Sequence, residues 1–293
     1  MHLGTSPIST GELSATLSEL ARQVRRWTLE SIYHAGSGHP GGALSAVDLM
    51  LYLFTQEMRF DPEDAENPSR DRFVLSKGHA CPALYAVAAL VGLLPVQELR
   101  ALRKLNGRLQ GHPHRLTTPW VEASTGSLGQ GFSFAIGEAL GLRYQERPSR
   151  VYVMLGDGEL QEGEVWEGAM CAGHYKLDNL CAVIDYNKLQ SDDANANIMT
   201  LEPLVDKWRA FNWHVEEIDG HDFSEMAAAF QRARTVRRKP TVVVAHTVKG
   251  KGVSFMEGAP AWHGSLKLRK TELQQALREL APQGKPAEEN AYA

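Results

Sequence analysis

Cysteine is scarce. Cys81, Cys171 and Cys181 are the only three in 293 residues, and no two share Cys-x-x-Cys spacing. That sets aside a disulfide framework and a cysteine-built zinc site, and the three read as reduced, mostly buried thiols of a cytoplasmic protein. Long apolar runs are missing too. No stretch approaches the roughly 20 residues of a transmembrane helix, and the opening Met1-His2-Leu3-Gly4-Thr5-Ser6-Pro7 lacks the form of a signal peptide. Neither sign of charge dominates: a formal net charge of −4 gives no reason to expect nucleic acid. What is present, 43% hydrophobic and 23% charged residues, suits one large α/β domain with a sizeable core.

The most informative stretch is 151–190. Val-Tyr-Val-Met-Leu runs into Gly156-Asp157-Gly158-Glu159, a helix-compatible segment follows, and Leu-Cys-Ala-Val-Ile runs into Asp185-Tyr186-Asn187-Lys188-Leu189. Two continuous apolar runs separated by a helix form the strand–helix–strand unit of a parallel sheet flanked by helices on both faces. Ligands of such sheets bind beyond the carboxyl ends of the strands, where Asp157 and Asn187 would stand. A carboxylate and an amide carbonyl are hard oxygen donors suited to Mg²⁺ or Ca²⁺, and Mg²⁺ takes few side chains together with water and phosphate oxygens. The flanking glycines let backbone approach a bulky anion closely. The same residues also read as a tight turn and a loop asparagine.

The rest of the chain supplies loops for the same edge. Leu13, Leu17, Leu20, Val24 and Trp27 recur at helical spacing. Gly36, Gly38 and Gly41 fit G-x-G-x-x-G, but that pattern must follow a strand and here follows a helix, so a dinucleotide site is rejected. The segment reads instead as a loop before a helix at 43–54, offering backbone N–H groups and His39 to a ligand oxygen. Phe73-Val74-Leu75 is a short strand ending in Ser76-Lys77-Gly78-His79, and 83–106 is helical in period with a break at Leu94-Pro95. His39, His79, His112 and His263 each adjoin glycine or proline in an expected loop, which favours a converging cluster over four isolated structural histidines. Their spacings are not those of a zinc site, His112-Pro113-His114 included. The glycine-rich loop 126–131 opens an apolar helix at 132–142, an arrangement that serves an anion or simply close helix packing.

Further strands are expected at 213–218 and 241–246, around a helix at 224–237. The closing Arg232, Arg234, Arg237, Arg238 and Lys239 read as a solvated face at the negative end of the helix dipole. Residues 191–197 read as a surface loop near the metal site. Thr247-Val248-Lys249-Gly250-Lys251-Gly252 lacks the P-loop order. A helix at 270–280 closes a domain expected to span 1–281, before a polar tail at 282–293 that should fray.

Gly156-Asp157-Gly158 followed about thirty residues later by Asn187 resembles the thiamine diphosphate motif. Ser37-Gly38-His39-Pro40-Gly41, Asp71-Arg72-Phe73-Val74-Leu75-Ser76-Lys77-Gly78-His79-Ala80, Gly111-His112-Pro113 and Thr125-Gly126-Ser127-Leu128-Gly129-Gln130-Gly131 narrow the resemblance to transketolases, over about 20–263. That resemblance implies transfer of a two-carbon ketol unit from a ketose phosphate to an aldose phosphate, through a carbanion formed on thiamine diphosphate. It implies that Asp157, Asn187 and the Leu189 carbonyl hold Mg²⁺, for which Ca²⁺ or Mn²⁺ substitutes. His79, Gly126, Ser127, Leu128, Gly158, Asn187 and His263 would contact the cofactor, and His39, His112 and His263 would line the substrate channel as catalytic groups. Glu162 would join a subunit contact near the cofactor, or stand as an exposed helix-start carboxylate. Ser127 stands where Gly-Pro-Leu is common in the family.

Complete transketolases carry a pyrimidine-binding domain with an activating glutamate, and a C-terminal domain, for which 293 residues leave no room. The expectation is therefore the diphosphate-binding subunit of a split enzyme, inactive alone, self-associating and paired in an α2β2 assembly with a separate C-terminal subunit. Two other readings stay open. One is a related enzyme acting on a sugar acid, a sulfo-sugar or an unphosphorylated ketose. The other is a non-catalytic regulatory subunit, for which the four histidines and the metal pair would have no use.

Overall fold

The computed structural model describes residues 10–191 and 193–282. The expectations for residues 1–7 and for the tail beyond 282 lie outside the described residues. Along the chain come α1 (Thr10–Ala35), α2 (Pro40–Ser45), α3 (Val47–Tyr52), β1 (Arg72–Leu75), α4 (Cys81–Leu90), α5 (Gln130–Tyr144), β2 (Val151–Gly156), α6 (Gly163–Tyr175), β3 (Leu180–Tyr186), α7 (Asn195–Ile198), α8 (Leu204–Ala210), β4 (His214–Asp219), α9 (Phe223–Thr235), β5 (Thr241–His246) and α10 (Lys270–Glu279). The five strands form one parallel sheet in the order β1-β2-β3-β5-β4.

Strand pleating divides the core in two. Tyr152, Met154, Cys181 and Val183 point to the face covered by α1, α3, α4 and α9. Val151, Val153, Leu155, Leu180, Ala182 and Ile184 point to the face covered by α5, α6 and α8. With both faces covered, β2 and β3 are buried along their whole length, which is why they read as unbroken apolar runs and not as alternating ones. A third cluster joins Leu29 and Leu44 to Val253, Met256, Leu273 and Ala276, fastening α10 and the segment before it against α1 and α2.

Several expectations need correcting. The helix expected at 83–106 is α4 alone, since Gly92 turns the chain at φ 92° and Pro95 leads into a separate 3₁₀ segment, Val96–Ala101. The helix expected at 43–54 starts at Pro40, so Gly41 and Gly42 are helical, and it breaks at Ala46 before α3. The Gly38 N–H donates to the Leu266 carbonyl at 3.2 Å and is not free for a ligand. The surface loop at 191–197 contains the start of α7, whose Asn195 is buried. The basic end of α9 is solvated as expected: Arg232, Arg234, Arg237, Arg238 and Lys239 are all exposed, with Arg232 also paired to Glu216 at 2.7 Å and Arg234 to Glu57 at 3.1 Å. Cys81 and Cys181 are buried and Cys171 half-buried, all three as free thiols. Among the described residues no helix is long and apolar enough to cross a membrane.

Candidate active site

The carboxyl ends of β1, β2, β3 and β5 meet over a buried ion pair. Lys77, just past β1, and Asp185, near the end of β3, are 1% and 0% exposed and joined by a short salt bridge. Asp185 also accepts from Ser45 Oγ at 2.6 Å and from Thr247 Oγ1, while Lys77 Nζ donates to the Gly42 carbonyl at 3.0 Å. Burial raises the Asp185 carboxyl, but Lys77 and these donors outweigh it and hold the group below the usual carboxylate range. Four segments are thereby tied at one point.

Above this floor Asp157 starts the turn after β2. Its carboxylate accepts the Gly158 N–H at 2.8 Å and the Lys188 N–H at 2.5 Å, and it is 3% exposed. Burial, then the Asp185 carboxylate, pushes its pKa up to about 6. Asn187 Oδ1 accepts the Leu189 N–H at 3.2 Å, and the Leu189 carbonyl accepts from Lys249 Nζ at 2.7 Å. Lys249 also donates to His263 Nδ1 at 2.5 Å, which leaves that ring's proton on Nε2. Burial, then Lys77, lowers Lys249 to about 8.

The histidines cluster. Ring centroids of His39 lie 5.3, 6.5 and 6.4 Å from those of His79, His112 and His263, and His79 and His263 are 5.5 Å apart. Desolvation followed by Arg103 lowers His39 to about 4; desolvation followed by Lys249 lowers His263 to about 3. His79 and His112 are lowered for the same first reason. All four are neutral imidazoles at neutral pH, able to donate and accept hydrogen bonds without adding charge.

Buried Glu159 holds the loops in register. It accepts from Ser76 Oγ after β1, from the Gly156 N–H at 2.9 Å and from the Gly129 N–H at 2.9 Å. The N-terminus of α5 thus already has a carboxylate on its Gly129 N–H. Its close packing follows from Gly131, where a Cβ would fall 2.7 Å from Ser76 Cα. The result is a cleft of about 380 Å³ lined by all four histidines, Lys77, Lys249, Asp157, Asn187 and Leu189.

The thiamine diphosphate binding domain model of transketolases matches residues 16–286. The chain belongs to the transketolase family. Among curated relatives of this transketolase-family chain is the 6-deoxy-6-sulfo-D-fructose transketolase subunit SqwG of Clostridium sp. (strain MSTE9), 44% identical over 93% of this chain and 99% of the relative. An apulose-4-phosphate transketolase subunit of Phocaeicola vulgatus is 36% identical over 91% of this chain and 94% of its own length. Human transketolase is 41% identical over 91% of this chain, which spans only 42% of the human protein. The solved transketolase of Leishmania mexicana superposes with a TM-score of 0.85 at 29% identity, covering 94% of this chain and 43% of its own.

Of the transketolase residues expected from sequence, His39, His79, His112, His263, Gly126, Leu128, Asp157, Gly158, Asn187 and Leu189 line this one cleft, and exposed Glu162 stands at it. Ser127 does not; it lines an adjoining groove with Gly111 and Pro113. Lys77, Asp185, Glu159 and Lys249 were missed as site residues. Asp185 carried a signal, a charge within a fully buried strand. Lys249 carried only its place after β5, in a segment without P-loop order.

Proposed function

We propose that this chain is the thiamine diphosphate-binding subunit of a transketolase that transfers a two-carbon ketol unit between sugar phosphates together with a separate subunit. The observation that carries the reading is the cleft itself: four neutral histidines facing a hard-oxygen corner, with Lys249 between them. SqwG, named as one subunit of its enzyme and nearly matched in length by this chain, supports the division into two chains. An α2β2 assembly in the cytoplasm, with residues 1–281 as the domain, fits the same reading.

The residues suit the cofactor and its metal. Asp157, Asn187 Oδ1 and the Leu189 carbonyl offer three hard oxygens for Mg²⁺, or for Ca²⁺ or Mn²⁺ in its stead. A dication there would offset the burial and the Asp185 charge that now raise Asp157, and would compete with Lys249 for the Leu189 carbonyl. Lys249 and the Gly158 turn then border a diphosphate, with Gly126, Leu128 and His79 along the rest of the cofactor. Bound thiamine diphosphate supplies the carbanion chemistry at its thiazolium carbon. The chain's own part is to orient and protonate: His39, His112 and His263, uncharged, hydrogen-bond sugar hydroxyl and carbonyl oxygens and pass protons at Nε2 or Nδ1 as the C–C bond breaks.

Ketol transfer from xylulose 5-phosphate to ribose 5-phosphate, measured with thiamine diphosphate and Mg²⁺ for this chain alone and mixed with the product of its neighbouring gene, tests the reading. Activity in the mixture only is the expected result; activity of the chain alone removes the two-subunit part. Silence in both with cofactor bound favours a second reading supported by the 44% identity to SqwG, in which 6-deoxy-6-sulfo-D-fructose replaces the phosphorylated donor.

A further inference from the structure

Arginines gather at the amino ends of the strands, across the sheet from the candidate active site. A cleft of about 290 Å³ is lined there by Arg143 and Arg147 at the end of α5, Arg150 before β2, and Arg234 and Arg237 at the end of α9, with Asp178 as the one carboxylate in the lining. Among the described residues only Arg234 of the five forms an ion pair, with Glu57. The others bond to neutral oxygens: Arg143 to the Tyr175 carbonyl at 2.7 Å, Arg147 to Gln145 Oε1 at 2.9 Å, Arg150 to the Ala233 carbonyl at 3.4 Å and Arg237 to the Arg234 carbonyl at 2.7 Å. Asp178 is itself engaged by the Arg238 N–H at 2.9 Å.

Capping carbonyls at helix ends is an ordinary use of arginine, and it accounts for one edge of Arg143, Arg150 and Arg237. It does not account for five guanidinium groups gathered around one concavity with a single carboxylate among them, a positive field that draws an anion. A guanidinium fork matches phosphate oxygens two at a time. The cleft, about 290 Å³, is near the lower end of small-molecule sites. We infer that this cleft binds a small, multiply phosphorylated metabolite, at a site separate from the cofactor cleft.

Inorganic pyrophosphate, titrated calorimetrically into the full chain in EDTA at low salt, is the probe. The wild-type chain should bind it, weakening as salt rises, and the Arg147→Gln/Arg237→Gln variant should bind it at least tenfold more weakly with an unchanged circular dichroism spectrum. Should the double variant unfold, Arg237→Gln alone, at an exposed position, gives the same comparison. Equal affinity in the variant means that the arginines serve only the helix ends, and sulfate binding as tightly as pyrophosphate means a counter-ion only. Lys249→Gln, which removes the cation beside the Leu189 carbonyl in the cofactor cleft, should keep the wild-type pyrophosphate affinity in EDTA; losing it would put the pyrophosphate in the cofactor cleft. Each of those three results overturns the inference.

Discussion

At the scale of single residues, burial sets the protonation of the cleft. His39 and His263 ionise near 4 and 3 in the folded chain and near 6.5 when unfolded. As pH falls below about 6.5 the unfolded chain gains protons first, so stability is complete above that pH and drains as pH drops toward the folded values. The urea midpoint of a His39→Asn/His263→Asn variant should therefore fall less steeply than the wild type's from pH 7 to pH 4. Parallel curves would mean that the two rings are not held neutral. Asp157→Ala should reduce thiamine diphosphate affinity in Mg²⁺ to the level the wild type shows in EDTA, with the fold intact. Near-normal binding, by fluorescence titration, would remove Asp157 from the metal.

At the scale of elements, Glu159 concentrates three contacts in one carboxylate. Its Gln counterpart turns an acceptor oxygen into an N–H donor that cannot serve both Gly129 and Gly156, leaving a buried donor unpaired at a cost of about 2 kcal/mol. Glu159→Gln should lower the urea-derived stability by that order and loosen cofactor binding together with it. A loss of affinity with unchanged stability would argue against the staple. Local pattern explains what was legible before the structure. β2, β3 and β5 announced themselves because buried parallel strands are apolar throughout, and β4, at the sheet edge, was displaced by one residue because only part of it is buried. The turn residues Asp157, Gly158 and Asn187 were legible through their spacing. Lys77 with Asp185 was not, since the partners are 108 positions apart, and neither was Glu159, two of whose partners, Ser76 and Gly129, lie 83 and 30 positions away.

At the scale of the whole molecule, the cleft draws its lining from His39 to His263, so it exists only when nearly the entire domain is folded. The chain should run as part of a larger complex when mixed with its partner subunit. Light scattering that returned a solitary monomer from the mixture would count against the two-subunit reading. The strand order has its own bearing on synthesis. The last strand to leave the ribosome, β5, is an inner one, lying between β3 and β4. Until Thr241 emerges, β3 exposes a bare edge and β4 has no strand to pair with, an open template for other nascent chains. Translation arrested between β4 and β5 would thus leave a sticky part-sheet, whereas release of the six residues of β5 would close it.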